Sequence, residues 1–183
     1  MLRRVLHSVL LLAVAGTAYA AYQTSPQDKS GALATTGPKV LPPIEAAKFL
    51  PNEVFFRGQS APIQARNSSG VQFGKNSLLL VALVDTAGYS SALQEKYQAY
   101  LITETPIDIE GHRLAPGAYG CGFIAADAFV VMDIGGRDLF SVTSARDADL
   151  RRPTPLQIFP ATDGSGYRLY FGRNYVTFAQ APL

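Results

Sequence analysis

The 183-residue chain holds one cysteine, no tryptophan, two methionines and two histidines. A single cysteine cannot close an intrachain disulfide or build a thiolate metal cluster. His7 lies in the first ten residues, so a site needing imidazole has only His112 to draw on. Without tryptophan, sugar recognition by ring stacking falls to the tyrosines, which also fill cores with their hydroxyls at the rim. The apolar run at residues 5–14 falls short of the ~20 residues a membrane-spanning helix needs. An excess of one charge is missing too. The formal +2 rests on Arg3 and Arg4, and without them fourteen basic side chains face fourteen acidic ones. That balance supplies no electrostatic pull toward nucleic acid or an anionic membrane.

What is present begins with the N-terminus. Arg3 and Arg4, the apolar run after them and Ala18-Tyr19-Ala20 form the three parts of a secretory signal peptide. Residues 1–20 are therefore expected to be removed on export to a periplasmic or extracellular compartment, leaving no stable membrane span. Residues 21–43 are small, polar and proline-containing and read as a flexible leader. Residues 44–183 are expected to form a single β-rich domain, long enough to bury a core of its own.

Within that domain, runs of strand length recur: EVFFR, PIQARN, SLLLVALVD, YQAYLIT, YGCGFIAA, AFVVMDIG, LFSVT, LQIFP, YRLYF and YVTF. Turn signals separate them, among them NSSG, TAGYSS, APG, GGRD, TDGSG and GRN. Many short strands without a long amphipathic helix predict an all-β antiparallel sandwich or barrel with at most one or two short helices. IEAAKFL, residues 44–50, suits one such helix, stopped by Pro51. SLLLVALVD, residues 77–85, is apolar at nearly every position, as a central strand covered on both faces should be. It is expected to pair with the run ending YQAYLIT across a loop at residues 86–93. Ser91 and Gln94 also fit a capping box that would start a helix presenting Leu93, Tyr97 and Tyr100. A strand from about Glu95 is the preferred assignment.

Residues 111–119, GHRLAPGAY, read as a strand, a Pro-Gly type II turn with glycine at the positive dihedral, and a second strand. The pattern G-x-x-L-x-P-G-x-Y resembles a motif of a bacterial exported mostly-β domain family of unknown function, usually G-x-x-L-P-A-G-x-Y. Here Ala115 and Pro116 stand in the reverse order. The resemblance implies an exported β-domain and brings no catalytic residue with it.

Side-chain alternation puts Tyr119, Cys121 and Phe123 on one face of the second strand, and Gly120 and Gly122 on the other. Cys121 between two aromatic rings is expected to be an inert core thiol and His112 a surface imidazole. A two-residue turn would set His112 opposite Cys121, whereas a three-residue loop would turn it to the other face. The glycine face should lie under an aromatic from a neighbouring element, a ligand floor being the alternative.

The leading expectation is a non-enzymatic module that binds a small ligand or an envelope protein, with no catalytic residue, cofactor or metal. The tentative surface comprises Asp85 and Tyr89, Arg137 and Asp138, and Arg151 and Arg152. The arginine pair precedes a proline-stiffened segment, Pro153-Thr154-Pro155, and could capture an anion. The alternative is an envelope hydrolase using carboxylates at strand ends, Asp85, Asp133 and Asp138. Asn67-Ser68-Ser69 is a formal glycosylation sequon.

Overall fold

Short runs of β-branched and aromatic residues become strands in the computed structural model, which describes residues 37–125 and 127–182. The expected signal peptide and the expected leader up to residue 36 lie outside the described residues. In chain order the strands are β1 (Lys39–Leu41), β2 (Glu53–Phe56), β3 (Gln59–Gly74), β4 (Ser77–Val84), β5 (Ala99–Thr103), β6 (Ile107–Ile109) and β7 (His112–Leu114). They continue with β8 (Gly117–Ile124), β9 (Ala128–Met132), β10 (Asp138–Thr143), β11 (Ala145–Arg146), β12 (Gln157–Pro160), β13 (Tyr167–Phe171) and β14 (Asn174–Gln180). Two four-residue helices, α1 (Pro43–Ala46) and α2 (Ser91–Gln94), interrupt them. Among the described residues no helix is long and apolar enough to cross a membrane.

The strands pair antiparallel in two sheets. The first runs β1-β3-β4-β5-β8-β9-β10 with β2 attached to β3, and the second runs β12-β13-β14-β6-β7 with β11 attached to β14. Val71, Leu79, Val81, Leu101, Cys121 and Val131 of the first sheet share one core with Ile109, Ile158, Leu169, Val176 and Phe178 of the second. The all-β sandwich expected from the turn spacing is the architecture found.

β4 is the central strand its composition demands. Leu79 and Val81 enter the inter-sheet core, whereas Val84 and Leu80 face the other way, under two separate covers. One cover, β2 and residues 89–97, brings Val54, Phe56, Tyr89, Leu93 and Tyr97. The other is α1, which packs Ala46 against Leu80 and Leu41. Burying each large apolar side chain stabilises by about 1.5–3 kcal/mol, so both faces of β4 draw on apolar residues. β4 pairs with β5 as expected, Leu79 opposite Thr103 and Leu83 opposite Ala99.

Three local assignments change. The chain stays helical through residues 91–94, Tyr97 N–H still donates to Leu93 O, and β5 starts only at Ala99, so no strand begins at Glu95. Ser90 occupies the N-cap, and Gln94 Nε2 reaches back to Tyr89 O at 2.8 Å. NSSG is no turn. Ser68, Ser69 and Gly70 lie buried inside β3, where Ser69 Oγ donates to Leu41 O at 3.0 Å. A Cβ on Gly70 would stand 2.6 Å from Leu79 O, so glycine there allows close packing against β4. Finally, Lys39–Leu41, inside the expected leader, pairs with residues 70–72 of β3.

The Pro-Gly segment is not a hairpin. β7 pairs with β6 in the second sheet and β8 pairs with β5 and β9 in the first, so Ala115-Pro116 carries the chain across the sandwich. Gly117 has no positive φ. Its missing side chain instead makes room for Tyr119, whose hydroxyl would lie 2.9 Å from a Cβ there and donates to Ala115 O at 2.9 Å. Leu114, buried in the core, anchors the other side of this corner.

Candidate binding groove

The same crossing separates Cys121 from His112, which a two-residue turn would have set opposite each other. Cys121 is fully buried in the inter-sheet core, and burial pushes its thiol up to about 12. His112 is on the second sheet, exposed, with its ring stacked on Phe140 of β10 at 5.0 Å between centroids. The pair cannot share a proton. On the opposite face of β8, Gly120 lies under Phe56 and Tyr97, so aromatic rings fill the space a ligand floor would need.

The strand-end carboxylates are likewise committed. Asp133 accepts N–H bonds from Gly135 and Arg137 and binds the Arg137 guanidinium at 2.9 and 3.1 Å. The backbone N–H of Arg137, first among these donors, holds its carboxyl below the usual range. Asp138 pairs with Lys96 at 2.6 Å, and Asp85 accepts the Ala87 N–H at 3.1 Å. Asp85 ends β4 and Asp133 follows β9, three strands away in the sheet order. At ~4.8 Å per strand that is about 14 Å sideways alone, beyond the ~5–9.5 Å of a glycosidase pair; Asp133 and Asp138 share one turn but are each already held by a cation.

Nor do the six residues of the expected surface converge. Tyr89 is 8% exposed and not a surface group, because its hydroxyl donates to Phe56 O and Gln59 O beneath the aromatic cluster. Arg137 and Asp138 belong to the β9–β10 turn at one edge of the first sheet. Arg151 and Arg152 are exposed on the connection into β12, just ahead of Thr154 and Pro155. Asp85 lines a small cleft of about 490 Å³ with Arg66 and Asn67.

The concave feature of the molecule lies elsewhere. On the β7–β10 side, the His112–Phe140 stack joins the two sheets. On the other side β12 approaches β1 and β3, and a groove of about 760 Å³ remains between them. That is within the ~300–1,000 Å³ of small-molecule sites. Pro38, Val40, Pro42 and Pro43 form one wall; Thr154, Pro155 and β12 form the other, with Tyr167 behind. Prolines flanking β1 and β12, and one ending β12, thin out the backbone donors along both edges.

An oversized bulge shapes one part of the lining. Ile63 pairs with Val84 and Ser68 with Ala82, so residues 64–67 stand opposite Leu83 alone. The bulge is held by its own side chains: Ser68 Oγ to Ala65 O at 2.7 Å, Asn67 Nδ2 to Gln64 Oε1 at 2.8 Å, and Gln64 Nε2 to Val84 O at 3.4 Å. Bulges re-aim side chains, and this one delivers Arg66 and Asn67 to the groove.

The polarity of the groove is one-sided. No aspartate or glutamate lines it. Lys39 is tied to Glu45 at 2.6 Å, whereas Arg66 enters none of the ion pairs found among the described residues. Gln157, also in the lining, has its Nε2 buried with no acceptor among those residues. Apolar walls with free donors suit a ligand that is mostly apolar and carries an acceptor or an anion. Arg66 was missed in the sequence because PIQARN reads as ordinary strand; the only cue was its imperfect alternation. Compared with protein-family models, curated proteins and solved structures, the chain matches none.

Proposed function

We propose that this protein is an exported, non-enzymatic binding module that holds a small, largely apolar ligand in the groove between β1, β3 and β12. The carrying observation is the groove itself, about 760 Å³ beside β12, β1 and β3, lined by prolines and apolar side chains and by no acid. The self-stapled bulge supports it, since a site of defined shape needs a rigid frame. Export rests on the signal-like first twenty residues. The hydrolase alternative draws no support from its carboxylates: Asp85 stands at least about 14 Å from Asp133, and Asp133 and Asp138 are held by Arg137 and Lys96.

The chain has no tryptophan, so one placed residue reports its own surroundings. In the full chain, Pro155→Trp sets an indole on the groove rim and Ser141→Trp sets one on exposed β10, at the opposite edge of the first sheet from β1. Titration with anilinonaphthalene sulfonate should quench the first by energy transfer well before the second. Equal quenching at both positions, or none at either, would overturn the groove as the binding site.

A further inference from the structure

We infer that the ligand class is a long-chain aliphatic carboxylate, its head paired with Arg66 and its chain laid along β12; this rests on the groove being the binding site. Three features of the lining lead there. First, charge: Arg66 is exposed, free of ion pairs among the described residues, and set in a lining without acids. Asp85, its neighbour in the adjoining cleft, forms no ion pair with it among the described residues. A guanidinium binds carboxylate through two parallel N–H bonds, so an anionic head is favoured over a neutral or cationic one.

Second, backbone chemistry. Five of the chain's twelve prolines, Pro38, Pro42, Pro43, Pro155 and Pro160, line the groove. A bound peptide strand needs main-chain donors and acceptors in unbroken alternation, and prolines interrupt that alternation on both walls. An alkyl chain asks for none. Third, shape: β12 offers an extended wall of about 13 Å, four residues at ~3.3 Å each, reached through the bend at Pro155 and Leu156. An extended unbranched chain covers such a surface, whereas a compact ring would leave most of it wet.

Calorimetric titration of the full chain with dodecanoate, dodecanol, dodecylammonium and hexanoate, all below micelle-forming concentrations, tests this. Dodecanoate should bind at least about tenfold tighter than dodecanol. Dodecylammonium and hexanoate should be weaker still. Arg66→Met should bring dodecanoate affinity down at least about tenfold, erasing the preference for carboxylate over alcohol, and Arg66→Lys should keep part of it. Arg66 is exposed, so circular dichroism of both variants should match the parent. Equal affinity for dodecanoate and dodecanol, or tighter binding of the ammonium, overturns the carboxylate head. Hexanoate binding as well as dodecanoate overturns the long chain. If anilinonaphthalene sulfonate quenches Pro155→Trp selectively in those cases, the groove stands and only the ligand class falls; if neither that dye nor any amphiphile acts at Pro155→Trp, both fall.

Discussion

The ring of Phe56 lies flat on that of Tyr97, 3.8 Å between centroids and 13° from parallel, and both rings rest on Gly120. A β-carbon on Gly120 would stand 2.5 Å from Phe56 Cε2 and 2.9 Å from Tyr97 Cδ2. Gly120→Ala therefore has to push the stack off the sheet, and overpacking of this kind costs about 1–3 kcal/mol. Urea denaturation should show that loss. With Phe56→Ala in the background the penalty of Gly120→Ala should shrink, because the clashing ring is gone. Strict additivity of the two substitutions would show that the ring does not cover the glycine.

The corner at residues 114–119 makes a second test. Tyr119→Phe removes the bond to Ala115 O and should cost about 0.5–1.5 kcal/mol, toward the low end because the site is near water. Gly117→Ala meets the same hydroxyl and should destabilise in the parent chain. In a Tyr119→Ala chain it should become neutral or stabilising, since Gly117 does not need a positive φ. A penalty that survives loss of the tyrosine would mean that the backbone, and not the ring, requires glycine.

Cys121 links burial to pH. An ordinary thiol titrates near 9.0, and burial pushes this one up to about 12. Between those values the folded chain holds a proton that the unfolded chain releases, so the contribution is intact below about pH 9 and declines as pH rises toward 12. Cys121→Ala should be less stable at neutral pH yet lose stability less steeply between about pH 9 and 11. Burial raises the Tyr97 phenol as well, so some alkaline slope should remain. Native protein should resist a thiol reagent until denaturant is added. Fast labelling of the folded chain would contradict the buried placement.

Two hairpin turns pair a non-glycine residue at positive φ with a following glycine: Arg57 at 47° before Gly58 at 86°, and Glu110 at 47° before Gly111 at 81°. Asparagine suits the first position of such a turn, and the left-handed region costs other residues about 1–2 kcal/mol. Arg57→Asn should stabilise by about 0.5–1 kcal/mol. Glu110→Asn should gain less, because Glu110 Oε1 accepts the Thr177 N–H at 2.6 Å and that bond would be lost. Thermal melts of the two variants should rank in that order; the reverse order would show the Glu110 bond contributes nothing.

Much of the fold was legible in local pattern. The apolar run at residues 77–85 declared a strand covered twice, and alternation around Cys121 declared which face was core. The rings over Gly120 follow from the same alternation, because a glycine face in an aromatic-rich chain invites a ring. Local pattern misled where a polar residue found a buried partner. Ser68 and Ser69 looked like a turn and became interior strand once Ala65 O and Leu41 O accepted their hydroxyls. Tyr89 looked like a loop-surface residue and was drawn inside by two carbonyls.

The amino-acid order alone determined which side of each strand would be dry, since the period of two is a property of the chain itself. It also settled that one sulfur and one downstream imidazole were all the chain had for thiol chemistry. Only the tertiary structure decided which strands share a sheet, and so that Ala115-Pro116 parts His112 from Cys121 instead of joining them. It alone decided that β12 comes to lie beside β1 and β3, with a groove between them next to Arg66. A seam lies between edges distant in the chain, and their meeting is set by long-range pairing that no short stretch encodes.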